Sequence, residues 1–205
     1  MSKKTIVGIT GIFGSGKSTV SKIFKSYGSK IIDADKIAHK YLARGTKTYK
    51  EIVGFFGSNI LKGKREIDRV KLGRIVFGNK KLLSKLNSII HPRVISEIRD
   101  RIKQSRHGVV VLDVPLLLEA GLKRLVDDLI VVIIDRDELI RRLVNKTALR
   151  RSEILKRIRS QIPLRKKKRV ADFIIDNSKT IRETKKQIKR IIGKIQGGSC
   201  GEIRD

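Results

Sequence analysis

A single cysteine, Cys200, stands in this 205-residue chain, within a Gly- and Ser-rich tail. No intrachain disulfide can form, and a reducing, cytoplasmic setting is expected. Tryptophan is absent and aromatic residues make up only 4%. None interleaves with the basic run PLRKKKRVAD (163–172), so a base-stacking platform for nucleic acid is not expected. The longest apolar runs, VVVLDVPLLLEAGL (109–122) and LIVVII (129–134), are too short or too broken by acids for a membrane span of about 20 residues. The start, MSKKTIVGITG, reaches glycines after a few apolar residues and carries no small-residue cleavage pattern, so a signal peptide is not expected. Acids are scarce: 20 Asp and Glu stand against 49 Lys and Arg, a formal net charge of +29. Such a surplus attracts polyanions of any kind, and the reading preferred is a solvated basic face over a dedicated nucleic-acid site.

What the chain does have is length for one sizeable core, or a core with a smaller appendage, burying about 70% of its unfolded surface. Five short apolar runs read as strands: TIVGIT (5–10), KIID (30–33), GVVVLD (108–113), LIVVII (129–134) and DFIID (172–176). Helical patterns separate them, which predicts an α/β fold with a parallel sheet covered on both faces. The stretch between the second and third runs exceeds one crossover helix and reads as a helical insertion: IAHKYLA, DRVKLGRIVF, NKKLLSKLNSII and PRVISEIRDRI. Pro92 is expected to open a new helix after Ile90 and His91, because proline suits a first turn. A second helical excursion, dense in Arg and Lys, spans 137–171, and GKIQGGSCGEIRD reads as a frayed tail.

GIFGSGKS (11–18) satisfies G-x-x-x-x-G-K-[ST], after an apolar strand and at the head of an amphipathic helix carrying Val20, Ile23, Phe24 and Tyr27. With glycine at about 7% of an average protein, a chance match in such a length is on the order of 1 in 100. Gly11, Gly14 and Gly16 let the backbone around Ser15 turn its N–H groups inward, and the helix terminus adds positive potential for phosphates. Lys17 reaches the β- and γ-phosphates, Ser18 offers a hydroxyl to Mg²⁺, and Thr19 adds a polar group. The chain is therefore expected to bind a nucleoside triphosphate, ATP. A guanine signature is missing, since NKTA (145–148) lacks its acid and follows no strand.

Asp33 and Asp35 follow the second strand, expected to lie beside the strand feeding the phosphate loop. In extended backbone a spacing of two turns both carboxylates to one face. One can take the proton of an acceptor hydroxyl while the other holds metal-bound water or caps a helix beginning near Lys36. Asp113, ending the third strand, sits where an acid would touch the Mg²⁺ shell; capping PLLLE is an equally good reading.

Several further segments together resemble the dephospho-CoA kinase family: GITGIFGSGKSTV, IIDADKIAHKYL, FFGSNIL with IDRVKLGRIVF, LNSIIHPRV, VPLLLEAGL and RIRSQIPLRKKKRVADFIIDNS, in order over residues 5 to about 178. The resemblance implies a P-loop NTPase fold that transfers the γ-phosphoryl of ATP to the ribose 3′-hydroxyl of dephospho-CoA, with Mg²⁺. It implies Asp35 as base with Asp33 beside it, and a core of about 1–38, 106–136 and 163–195. A CoA-binding insertion of about 39–105, a lid of about 137–162 and a flexible tail 196–205 complete the expected organisation. His91, Pro115, Leu116 and Glu119 are implied on the acceptor side and Asn177 on the adenine side. Where the family's lid carries an arginine, RLVNK (142–146) has Lys146, which keeps charge but loses the planar fork; Arg142, Arg150 or Arg151 could substitute. A monomer acting on two small molecules is expected, with no nucleic-acid or membrane partner. Another nucleoside or nucleotide kinase and a basic nucleic-acid-dependent ATPase are the alternatives.

Overall fold

The computed structural model describes residues 4–77, 79–114, 117–147 and 150–197, apart from the side chains of residues 77, 146 and 156. In chain order the elements begin β1 (Thr5–Gly11), α1 (Lys17–Ser26), β2 (Lys30–Asp33), α2 (Ala34–Tyr41) and α3 (Lys47–Phe56). Next come β3 (Leu61–Lys62), β4 (Glu66–Ile67), α4 (Arg69–Phe77) and α5 (Lys80–Gln104). The remainder is β5 (Val109–Asp113), β6 (Asp128–Ile133), α6 (Arg136–Lys146), α7 (Arg151–Arg159), α8 (Leu164–Arg169), β7 (Phe173–Asp176) and α9 (Ile181–Ile195). Two compact units emerge: Met1–Ile32 with Ser105–Asp205, and Asp33–Gln104.

The first unit is built on a five-stranded parallel sheet of order β2-β5-β1-β6-β7. Val109 to Leu112 and Leu129 to Val132 are buried without interruption, the pattern of strands covered on both faces. On one face Val7, Ile9, Val111, Ile130 and Val132 pack with Val20 and Phe24 of α1 and Ile188 of α9. Phe24 is fully buried, and burial of such a side chain contributes about 1.5–3 kcal/mol. On the other face Gly8 leaves room for Leu117 and Val126, which a Cβ would meet at 2.7 and 2.9 Å. The five strand expectations hold. One neighbour relation does not: β5, not β2, lies beside β1, because the long excursion after β2 returns the chain between them.

The second unit buries Ile52, Ile60, Ile67, Leu72, Val76, Leu86 and Ile89 together. Its small antiparallel hairpin, β3 with β4, was not foreseen; Lys62 pairs with Glu66 across a turn in which Arg65 takes φ 62°. Pro92 does not open a helix: it lies inside the 25-residue α5. An interior proline costs about 3 kcal/mol, but the buried stripe Leu86, Ile89, Val94, Ile98 continues through it. Arg93 also donates to the Ile89 carbonyl at 3.0 Å. Packing outweighs the missing rung. No helix among the described residues is long and apolar enough to cross a membrane.

Candidate active site

The glycine loop leaves β1 at Gly11 and enters α1 at Lys17. Gly14 and Gly16 take φ +81° and +90°, left-handed conformations that L side chains rarely adopt. Gly11 serves by its lack of volume: a Cβ there would lie 2.5 Å from the Val132 carbonyl oxygen and 2.6 Å from Ser15 Oγ. Ser15 is fully buried, and its hydroxyl has no hydrogen-bond partner within the protein. Where α2, α3, α6 and α9 close their amino ends with Asp33, Thr46, Asp135 and Thr180, α1 begins at Gly16 with no side-chain cap and no acid in its first turn. An uncapped helix start behind inward-turned glycines is a seat for an anion.

Lys17 folds over this seat, its ammonium donating to the carbonyls of Gly11 (3.2 Å) and Ile12 (3.0 Å). Ser18 is exposed and Thr19 half-buried. Asp113 accepts from the Ser21 hydroxyl at 2.8 Å. Ser21 follows Ser18 by three positions, so Asp113 is held against the helix face that carries the Ser18 hydroxyl. Sequence reasoning missed Ser21, although that helical spacing would have pointed to it. Among the described residues no group of three or more His, Cys, Asp or Glu could hold a metal by itself. A hydroxyl and a carboxylate, both hard oxygen donors, nevertheless suit Mg²⁺, which takes one or two protein carboxylates and fills its shell with phosphate oxygens and water.

The loop is braced from behind. Asn177, buried after β7, donates from Nδ2 to the Ser15 carbonyl at 3.0 Å and accepts from Thr184 Oγ1 at 3.2 Å. Its side chain is held on the loop. Arg142 is likewise committed: Nε donates to Glu138 at 2.6 Å, and the fork donates to the carbonyls of Asn177 (2.9 Å) and Ser178 (3.3 Å). Hydrogen bonds from Arg141 and Arg142 hold the Glu138 carboxyl below its usual range. The Arg142 fork is thus held on the carbonyls that follow β7. Arg150 and Arg151 are exposed, and the Lys146 side chain lies outside the described residues. A cavity of about 400 Å³ opens between Thr19, Arg141, Asn145, Asn177, Lys179 and Ile181.

Pro115 and Leu116 also lie outside the described residues. Glu119 forms a buried joint: Oε1 lies 2.8 Å from the ammonium of Lys167, which is 0% exposed, and accepts from Ile162 N at 3.1 Å. Its Oε2 has no protein partner.

Of the acid pair only Asp33, the last residue of β2, lies in extended backbone; Asp35 is already in α2, so the two do not share one face of a strand. Asp33 is the amino cap of α2, accepting from Lys36 N at 2.9 Å, and Asp35 stands exposed in the first helical turn. Helix begins at Ala34 because Asp33 satisfies one of its orphan amides. His39, one turn beyond Asp35, meets Arg69 through both ring nitrogens. His91 is half-buried within α5, and burial holds its imidazole below the ordinary value.

The family model for dephospho-CoA kinase matches residues 5–183 of this chain. A dephospho-CoA kinase of Carboxydothermus hydrogenoformans is 47% identical over 192 residues, covering 92% of this chain and 93% of its own. Among solved structures, a dephospho-CoA kinase from Campylobacter jejuni is 30% identical with a TM-score of 0.68, covering 95% of this chain and 98% of its own. The protein TT1252 from Thermus thermophilus is 29% identical with a TM-score of 0.83, covering 94% and 98%.

Proposed function

The chain belongs to the dephospho-CoA kinase family, and we infer from this and from its glycine cradle that it transfers the γ-phosphoryl of ATP to the ribose 3′-hydroxyl of dephospho-CoA, giving CoA and ADP. The observation that carries the reading is the open amino end of α1 behind Gly14 and Gly16, with the buried Ser15 hydroxyl still unpartnered. Amides, hydroxyl and helix terminus together suit a chain of phosphates.

In this reading the Lys17 ammonium leaves the loop carbonyls for the β- and γ-phosphates and stabilises charge that develops on the transferring group. Ser18 and Asp113 would hold Mg²⁺, which would supply positive charge to the phosphate oxygens. The cavity beside Thr19 takes the nucleoside, with the exposed Ile181 side chain offering an apolar surface to the base. Asp35 accepts the 3′-hydroxyl proton, the freed oxygen attacks the γ-phosphorus, and ADP leaves. Asp33 orders the turn that presents Asp35, and His91 and Glu119 serve the acceptor. The excursion through α6 and α7 excludes water, which competes for the phosphoryl group. The enzyme acts as a cytoplasmic monomer on two small polyanions, a setting consistent with its single cysteine.

The test offers the purified chain Mg-ATP with dephospho-CoA, AMP, uridine or RNA in parallel, following ADP release. Turnover is expected with dephospho-CoA alone, falling about 10²- to 10⁴-fold in Asp35→Asn. ADP release driven by RNA and none by dephospho-CoA would reverse the conclusion.

A further inference from the structure

We infer that Gln161 is a positioning residue for the phosphate loop, tying Phe13 to the end of α7 so that bound ATP and the α6–α7 excursion hold one another in place. The inference rests on the ATP-binding reading above and adds a residue to it.

Phe13 lies inside the loop, between Gly11 and Gly14. Its N–H donates to Gln161 Oε1 at 2.7 Å, across 148 positions of sequence. The bond satisfies a loop amide that is partly withdrawn from water. The ring of the same residue lies under the Arg157 guanidinium, 5.4 Å from its centroid. Arg157 precedes Gln161 by one helical turn, and Gln161 N bonds the Ile158 carbonyl at 3.2 Å, extending that turn past the end of α7. One stretch of chain therefore grips both the backbone and the side chain of Phe13. Around it Ile12 and Phe13 pack with Leu139 and Leu143 of α6 and Ile154 of α7.

The backbone that carries Gln161 is itself anchored. Ile162 N donates to Glu119 Oε1 at 3.1 Å, and the buried Lys167 ammonium lies 2.8 Å from the same oxygen. Gln161 thus projects from a fixed point, so α7 cannot swing away without breaking the Gln161 to Phe13 bond or dragging the loop with it. A loop settled by phosphates in turn holds Gln161, because coupling between two sites is reciprocal. The Glu119–Lys167 joint acts here through this backbone.

The experiment compares the full chain with Gln161→Met, which keeps length without the amide oxygen, and Gln161→Glu, which keeps an acceptor. With Mg-ATP and dephospho-CoA, Gln161→Met is expected to raise KM for ATP about 10-fold, within the usual range of site coupling, and to leave KM for dephospho-CoA unchanged. Gln161→Glu is expected to recover most of that loss. Hydrogen exchange supplies a second reading: Mg-ATP slows exchange across residues 151–162 of the wild type and not of Gln161→Met. A wild-type KM for ATP in Gln161→Met, an equal rise for both substrates, or no recovery in Gln161→Glu overturns the inference. If Gln161→Met does not fold, absence of ATP-dependent slowing at 151–162 in the wild type overturns it alone. A wild-type chain that binds no ATP sinks the functional reading first, and this one with it.

Discussion

The side-chain amide of Asn177 donates to the carbonyl of Ser15 at 3.0 Å, joining the residue after the last strand to the middle of the glycine loop 162 positions away. Its own oxygen accepts from Thr184 in α9. Removing the side chain takes the Nδ2 donor from the buried Ser15 carbonyl, while the Thr184 hydroxyl keeps the Thr180 carbonyl at 3.2 Å. Asn177→Ala is therefore expected to cost about 1–3 kcal/mol in urea unfolding and to weaken ATP binding measured by calorimetry. Asn177→Asp retains the acceptor for Thr184 and no donor for Ser15, so its ATP affinity should match that of the alanine variant.

Gly16 presses against the same amide. A Cβ at Gly16 would stand 2.0 Å from Asn177 Nδ2, whereas one at Gly28 meets nothing, although both residues are left-handed, at φ +90° and +86°. Each alanine substitution carries a conformational cost of roughly 1–2 kcal/mol. Only Gly16→Ala should also displace the brace and abolish ATP binding, a contrast that calorimetry on the two folded variants reads directly.

The ion pair of Lys167 with Glu119 is almost wholly withdrawn from water, at 0% and 18% side-chain exposure. Breaking a buried pair from one side leaves an uncompensated charge, so Lys167→Met should destabilise by about 3–5 kcal/mol. The double variant Lys167→Met with Glu119→Leu should regain most of this in denaturant titrations. Additive losses would show that the two side chains do not act as a pair.

His91 gives the stability a sign with pH. Burial lowers its value in the folded state, so the unfolded chain binds the proton more readily and stability rises with pH. The contribution is complete above the unfolded imidazole value of about 6.5 and is lost as pH falls from there through the lowered folded value. Urea unfolding from pH 8 down to pH 5 should show this decline, and His91→Asn should flatten it.

The sheet was legible because each of its strands is a short apolar run bounded by glycine or charge, and the phosphate loop because its glycines, lysine and serine stand together in sequence. Strand order was not. Nothing local to KIID says that VVVLD will intervene between it and β1. Pro92 misled for a related reason: the local rule for proline was overridden by a buried stripe that runs through it. The braces were equally hidden. Asn177 reads as an ordinary turn residue and Gln161 as a polar residue near a helix end. Lys167 is one of three consecutive lysines in RKKKR, and only its position three residues after Leu164 on α8 turns it inward. For the acid pair the capping reading holds, Asp33 accepting from Lys36 N, but the shared extended face does not, because the helix starts at Ala34 and already contains Asp35.

The pairing of Thr5 with Val109 has a bearing on how the molecule is made. On a ribosome the first strand emerges long before its nearer partner, and the whole segment Asp33–Gln104 must be synthesised in between. That segment has an apolar interior of its own, and by condensing early it shortens the effective distance over which β1 and β5 must find one another. Sheets closed by such distant partners assemble slowly. Until then Ile6, Val7 and Ile9 remain uncovered on the nascent chain, and it is in this interval that the chain is most exposed to aggregation.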